Sequence, residues 1–228
     1  MEFDAFRLAA ATADLGDEPA AREHADLLEF RMDLADDPLA ALGEYDGELP
    51  LLVTNRVAWE GGEAADDAAR LDALEAALEN DAVAAVDLEL AALSGEGEGD
   101  AGRVRERARE AGASVVVSTH DFEGTPARER IVERLERACR AGDVGKFAAT
   151  ADSVEDVYAL LGATRAMTRA GHRVATMAMG EAGRHSRAVA PLYGSKIGYA
   201  PVDPAEATAP GQYDLATLRD LVSALEGR

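Results

Sequence analysis

Short apolar, β-branched runs alternate along the chain with longer stretches in which Ala, Leu, Arg and Glu recur at helical period. The runs Phe6–Ala10, Leu27–Met32, Leu51–Thr54, Val83–Leu90, Ser114–Ser118, Val144–Ala148, Arg173–Met179 and Lys196–Tyr199 predict strands. The stretches 17–25, 37–44, 64–80, 101–112, 126–141, 153–170, 181–189 and 213–226 predict helices. Thr125-Pro126 reads as an N-cap with proline at the first helical position, and Asp152 or Ser153 as the cap of the following helix. Gly112, Gly142 and Gly171 fall where helices should stop. Eight strand–helix alternations in 228 residues give about 28 residues per unit, which predicts a single α/β domain over residues 1–228, a (β/α)8 TIM barrel. An open doubly wound sheet would favour a glycine-rich turn after its first strand, and Ala9-Ala10-Ala11-Thr12 is not one. The stretch Gly95-Glu96-Gly97-Glu98-Gly99-Asp100 carries acids that repel phosphate, so it is expected to be a solvated loop.

Charge narrows the function classes. Lys plus Arg number 23 against 44 Asp plus Glu, a formal charge of −21. That field repels nucleic-acid backbones and anionic lipid, so neither is an expected partner. Only Lys146 and Lys196 are lysines, and the other 21 basic residues are arginines. Acid-rich, lysine-poor chains suit a very salty cytoplasm, where the Debye length falls to about 3 Å at 1 M salt. Where surface lysine is this scarce, a lysine among apolar neighbours stands out. Cys139 is the one cysteine, which excludes an internal disulfide or a cysteine-rich zinc site. No run of 18 apolar residues occurs and Met1-Glu2-Phe3-Asp4 does not read as a signal peptide, so a cytoplasmic location is expected.

Barrels place their chemistry at the C-terminal ends of strands. Polar residues collect there: Glu29, Arg31 and Asp33; Thr54, Asn55 and Arg56; Asp87 and Glu89; Ser118 to Asp121; and Lys146. Each has a plain structural reading. Glu29 and Arg31 could form an ion pair, Glu89 could neutralise an arginine, His120 could be structural, and Met177 and Met179 could be packing. A core would not concentrate charge at one end of successive strands without partners or a ligand. Lys146 lies between Val144 and Phe147-Ala148-Ala149. Desolvation and nearby arginines favour its neutral amine, which can attack a ketone and form an imine. The protonated imine is an electron sink that acidifies the adjacent carbon. His120 is the natural proton carrier, and Glu89 on the preceding strand could orient its ring. Arg31, Arg56 and Arg187 offer forks suited to a carboxylate.

In this order the residues resemble type I 3-dehydroquinate dehydratase, the Schiff-base lyase of the shikimate pathway of aromatic amino-acid biosynthesis. The segments that carry the resemblance run from about Leu28 to Gln212. They are Glu29-Phe30-Arg31-Met32-Asp33, Thr54-Asn55-Arg56 with Glu60-Gly61-Gly62, and Asp87-Leu88-Glu89-Leu90. They continue with Ser118-Thr119-His120-Asp121-Phe122, Gly145-Lys146-Phe147-Ala148, Met177-Ala178-Met179-Gly180, Ser186-Arg187 and Ala209-Pro210-Gly211-Gln212. The resemblance implies that Lys146 forms the imine, that His120 moves the proton and that Glu89 supports it. It implies Arg187 and Gln212 on the substrate carboxylate, Glu29, Arg31 and Arg56 on ring hydroxyls, and Met179 against the ring. Thr208 stands where the family often has serine, which retains a hydroxyl for the substrate. The implied substrate is the small molecule 3-dehydroquinate, with no metal or organic cofactor needed, and the resemblance allows a homodimer. The stretch from Tyr199 to Gln212 is the expected lid.

Another Schiff-base barrel enzyme, of the class I aldolase type, is the alternative. It would usually want a late phosphate site, whereas the late arginine- and glutamine-bearing loops here suit a carboxylate at least as well. A metal-dependent hydrolase built on Asp87, Glu89 and His120 lacks a second histidine at a strand end. A noncatalytic acidic binding protein would not explain Lys146. The charge balance predicts faster turnover of dehydroquinate, followed by ultraviolet absorbance, at multimolar than at low salt. Equal rates at both would remove the halophilic reading.

Overall fold

A strand buried on both faces needs apolar residues at successive positions, and the strand runs of this chain have them. In the computed structural model, which describes residues 1–203, 205 and 211–227, they form β1 (Arg7–Thr12), β2 (Leu27–Arg31), β3 (Leu51–Thr54), β4 (Val83–Glu89), β5 (Ser114–Asp121), β6 (Val144–Thr150), β7 (Val174–Met179) and β8 (Ile197–Pro201). All pairings are parallel, in the order β7-β6-β5-β4-β3-β2-β1-β8. The barrel is all but closed between the two ends of that order, β7 and β8. Val174 and Ser195 form a parallel bridge. The Lys196 N–H donates to the Val174 carbonyl at 2.7 Å, and the Thr176 N–H donates to Ser195 Oγ at 3.0 Å.

Alternation sorts the side chains. Leu8, Ala10, Leu28, Phe30, Val53, Val86, Leu88, Val115 and Val117 face outward into one core. Phe147, Ala149, Val174 and Ala178 face outward into a second. The inward set is Ala9, Leu27, Leu52, Ala85, Val116, Val144, Ala175 and Ile197, joined by Phe3. One step further along the inward faces come Glu29, Thr54, Asp87, Ser118 and Lys146, all buried. The apolar inward layer is thus the floor of a polar chamber.

The helices α1 (Glu18–Ala21), α2 (Pro38–Glu44), α3 (Asp67–Ala77), α4 (Leu90–Leu93), α5 (Ala101–Ala111), α6 (Arg128–Ala141), α7 (Val154–Arg169), α8 (Gly180–Gly183), α9 (Ser186–Tyr193) and α10 (Leu215–Glu226) accompany the strands. On α6 the residues Ile131, Leu135 and Ala138 form the buried stripe. No described helix is long and apolar enough to cross a membrane.

Several boundaries differ from the expectation. β5 runs to Asp121, because Thr119, His120 and Asp121 keep pairing with Phe147, Ala148 and Ala149. The helix expected over 181–189 is two pieces, α8 and α9. Gly183 lies so near β7 that an added Cβ would stand 2.7 Å from the Ala178 carbonyl carbon, and Ser186 Oγ accepts the Ala178 N–H at 2.9 Å. The first helix is short, since Asp26 Oδ2 accepts the Leu8 N–H at 2.7 Å and turns the chain into β2. Thr125 does not cap α6. Its hydroxyl donates to the Thr150 carbonyl at 2.7 Å, tying the loop to β6, and Ala127 holds the cap position.

Ser153 does cap α7, in a reciprocal capping box with Asp156. Ser153→Ala should lower stability by about 1 kcal/mol and the thermal midpoint by about 2–4 °C. Circular dichroism melts at fixed salt check this, and an unchanged midpoint would show that the box is not contributing.

Candidate active site

A charge moved out of water is strongly unfavourable unless it is paired, and six charged side chains are buried together at the C-terminal end of this barrel. Lys146, on β6, is 5% exposed. Its Nζ donates to Asp87 Oδ2 at 3.0 Å and lies 3.8 Å from Glu29 Oε1. Asp87 Oδ1 accepts from Ser118 Oγ at 2.6 Å and from Arg56 Nη2 at 2.8 Å. Arg56 Nη1 donates to Glu89 Oε1 at 2.7 Å and to Ser118 Oγ at 2.7 Å. Arg70, from α3, pairs its Nη1 with Glu89 Oε2 at 2.9 Å. Lys146, Arg56 and Arg70 thus balance Glu29, Asp87 and Glu89. Burial alone would push the Asp87 carboxyl up. The charges of Arg56 and Lys146 and the Ser118 hydroxyl outweigh it and hold Asp87 below the usual carboxylate range. Burial opposes the Arg56 guanidinium, but Asp87, Glu89 and Glu60 hold it firmly protonated.

His120 stands at the end of β5, two residues beyond Ser118, which pairs with Lys146 across the ladder. Glu60 Oε1 accepts the His120 backbone N–H at 2.8 Å and lies 3.1 Å from Nδ1. Nε2 is left to exchange a proton with a ligand. Burial, then the charges of Arg56 and Lys146, hold the imidazole well below its ordinary value, so it is neutral. Burial raises Glu60 to about 7, against the pull of Arg56. The loop that carries Glu60 depends on two glycines. Gly61 has φ +80° and lies under Phe122, and an added Cβ at Gly62 would stand 2.0 Å from the Arg56 carbonyl oxygen. Phe122 in turn stacks on the imidazole at 5.9 Å.

These groups open into one cavity with about 580 Å³ of empty space, part of it open to solvent. Its polar lining includes Glu29, Arg31, Thr54, Arg56, Glu60 and His120. Lys146, Met177, Met179, Arg187, Tyr199 and Gln212 line it as well. Its size suits a small molecule. Arg187, 4% exposed, is lowered by burial to about 10, which leaves it cationic at neutral pH.

The model of the type I 3-dehydroquinase family matches residues 9–228. The chain belongs to this family. It is 72% identical to the 3-dehydroquinate dehydratase of Haloarcula marismortui over 99% of both chains. It is 54% identical to that of Halobacterium salinarum, over 99% of this chain and 100% of the relative. The solved 3-dehydroquinate dehydratase of Geobacillus kaustophilus superposes with a TM-score of 0.86 at 32% identity, covering 98% of this chain and 92% of that one. A crystal structure of the type I enzyme from Clostridium difficile with covalent modified comenic acid gives 0.81 at 25% identity, over 98% and 93%. The relatives are thus dehydroquinases and not class I aldolases, and halophilic species are among them.

For this dehydroquinase chain, the cavity brings together most residues read from the sequence: Lys146, His120, Glu29, Arg31, Arg56, Arg187, Met179 and Gln212. Arg31 is held by Asp33, at 2.9 Å from Nε and 2.6 Å from Nη2. Thr208 lies outside the described residues, as does much of the expected lid. Glu89 is a correction. Alternation turns it inward, yet both its oxygens are taken by Arg56 and Arg70, so it neutralises arginines and does not support His120. Glu60 holds that place. It sits in one of the segments that carried the resemblance, after Arg56, but a contact between positions 60 and 120 has no local signal. Asp87 was named at its strand end but not paired with Lys146, and Tyr199 beside the lysine was missed as a member of the site. Asp87 is inward-facing in β4, and alternation gives its side but not its partner.

Glu60 supplies a pH test. Its raised value adds stability that is complete below the ordinary glutamate value of ~4.3 and lost as pH rises through about 7. His120, held low, acts in the opposite sense, so wild type must be compared with Glu60→Gln. Between pH 5 and 8, the denaturant midpoint of wild type should fall relative to that of the variant. A constant difference would show that Glu60 does not titrate near neutrality.

Proposed function

We propose that the cavity dehydrates 3-dehydroquinate to 3-dehydroshikimate through an imine on Lys146, with His120 as the proton carrier. The observation that carries this reading is the lysine buried among carboxylates, in one cavity with a neutral histidine. Dehydroquinate dehydration is the activity named for the relatives at 72% and 54% identity.

The ammonium of Lys146 gives a proton to His120, and Nζ attacks the substrate ketone. The nitrogen of the addition product passes a proton to the former carbonyl oxygen. His120 then returns its proton to that hydroxyl, and water leaves. A protonated imine remains, with neutral His120 beside it. The imine withdraws electrons, so His120 removes a proton from the adjacent carbon and an enamine forms. The enamine pair re-forms the imine while the β-hydroxyl departs, taking the proton from His120 as water. Water finally hydrolyses the imine, releasing the product and the lysine. The net change is loss of one water, with no redox step.

Glu60 fixes the His120 tautomer and ring plane, which leaves Nε2 for the substrate carbon and hydroxyl. Arg187 holds the substrate carboxylate with help from Gln212. Arg31, Arg56 and Glu29 take ring hydroxyls, and Met179 packs on the ring. Asp87 and Glu29 stabilise the positive nitrogen and anchor Nζ where the ketone arrives.

Borohydride added with dehydroquinate should attach the substrate carbon skeleton to Lys146, read by mass spectrometry of the peptide. His120→Ala should still form that adduct, more slowly, while losing about 10²- to 10⁴-fold in kcat. Full turnover in Lys146→Ala would defeat the mechanism.

A further inference from the structure

Tyr199 has no part in the reaction derived above. It lies in β8, 4% exposed, with its ring centroid 4.3 Å from Lys146 Nζ. Across the ladder it faces Ala9 of β1. Ala9, Ala85, Ala148 and Ala175 are small side chains of the same inward cluster, which leaves room for a large ring beside the lysine. The Tyr199 hydroxyl is buried and makes no hydrogen bond among the described residues. A buried hydroxyl without a partner is unfavourable, so what this side chain contributes at the site is its ring face.

The Lys146 nitrogen is positive at two stages, as the resting ammonium and as the protonated imine. As an ammonium it has three N–H donors to share, one of them held by Asp87 at 3.0 Å. As a protonated imine it keeps one. Hydrogen-bonded support therefore shrinks as the imine forms, while attraction to a π face needs no N–H and persists. On an inference that rests on the imine reading above, we propose that Tyr199 is a further catalytic residue. Its ring face stabilises the positive Lys146 nitrogen through imine formation, and its hydroxyl is dispensable.

A series at position 199 separates ring charge from shape. Tyr199→Phe removes the hydroxyl, and mono-, di- and trifluorinated phenylalanines in its place drain the π face at nearly constant shape. Each protein is mixed with dehydroquinate and borohydride, and the rate of covalent labelling at Lys146 is measured beside kcat, KM and the thermal midpoint. Tyr199→Phe should label within about threefold of wild type, and the fluorinated series should slow stepwise to roughly tenfold or more. The loss should appear in kcat more than in KM, with thermal midpoints equal across the series. A flat series overturns the proposal, as does a tenfold loss in Tyr199→Phe itself, which would assign the effect to the hydroxyl. No labelling of wild type would overturn the imine reading as well, whereas a labelled wild type with a flat series overturns the role of Tyr199 alone.

Discussion

Burying a lysine ammonium is tolerable only where carboxylates go down with it, and the site depends on that constraint. Lys146 is held by Asp87, Asp87 by Arg56 and Ser118, Arg56 by Glu89, and Glu89 by Arg70. The chain of contacts crosses from β6 through β4 to β3 and out to α3. Breaking any link would leave an uncompensated charge in the barrel. The Lys146 amine is therefore fixed in position by a network that also fixes the C-terminal end of the barrel. Few of those groups can move independently.

Beside this network stands a second, more weakly charged unit. His120 and Glu60 are both drawn toward their neutral forms, by burial in each case. The contrast is chemically useful. The charged network holds and polarises, while the near-neutral pair is free to pass a proton at ordinary pH. The division follows from placement. Asp87 sits low in the chamber between two cations, whereas Glu60 comes from a loop above it, held by Gly61 and Gly62 against the imidazole.

The strand pattern made the barrel legible, because each strand buries both faces and shows as a compact apolar run. Lys146, Arg56 and Arg187 were legible as candidates because each is a cation beside apolar positions at a strand end or soon after one. Glu60 was not assigned its role, although its segment was recognised, because a loop residue has no periodicity to aim it. Glu89 was placed correctly on the inward face and given the wrong partner. Alternation tells which side a residue faces and not which of several neighbours its two oxygens meet. The helix break at Arg184–His185 was invisible for a similar reason, since it follows from how closely Gly183 and Ser186 pass β7.

By itself, the sequence determined the periodic elements, the inward set of polar residues and the acid-rich surface, all properties of one residue and its near neighbours along the chain. Only the tertiary structure decided which carboxylate serves which cation, that Glu60 and not Glu89 meets His120, and that a tyrosine from β8 lies against the lysine of β6. Such pairings join distant positions, Arg56 and Asp87 being 31 residues apart and Glu60 and His120 being 60 apart. They are settled by which strand ends converge and by the short reach of a hydrogen bond, and neither quantity is written in local order.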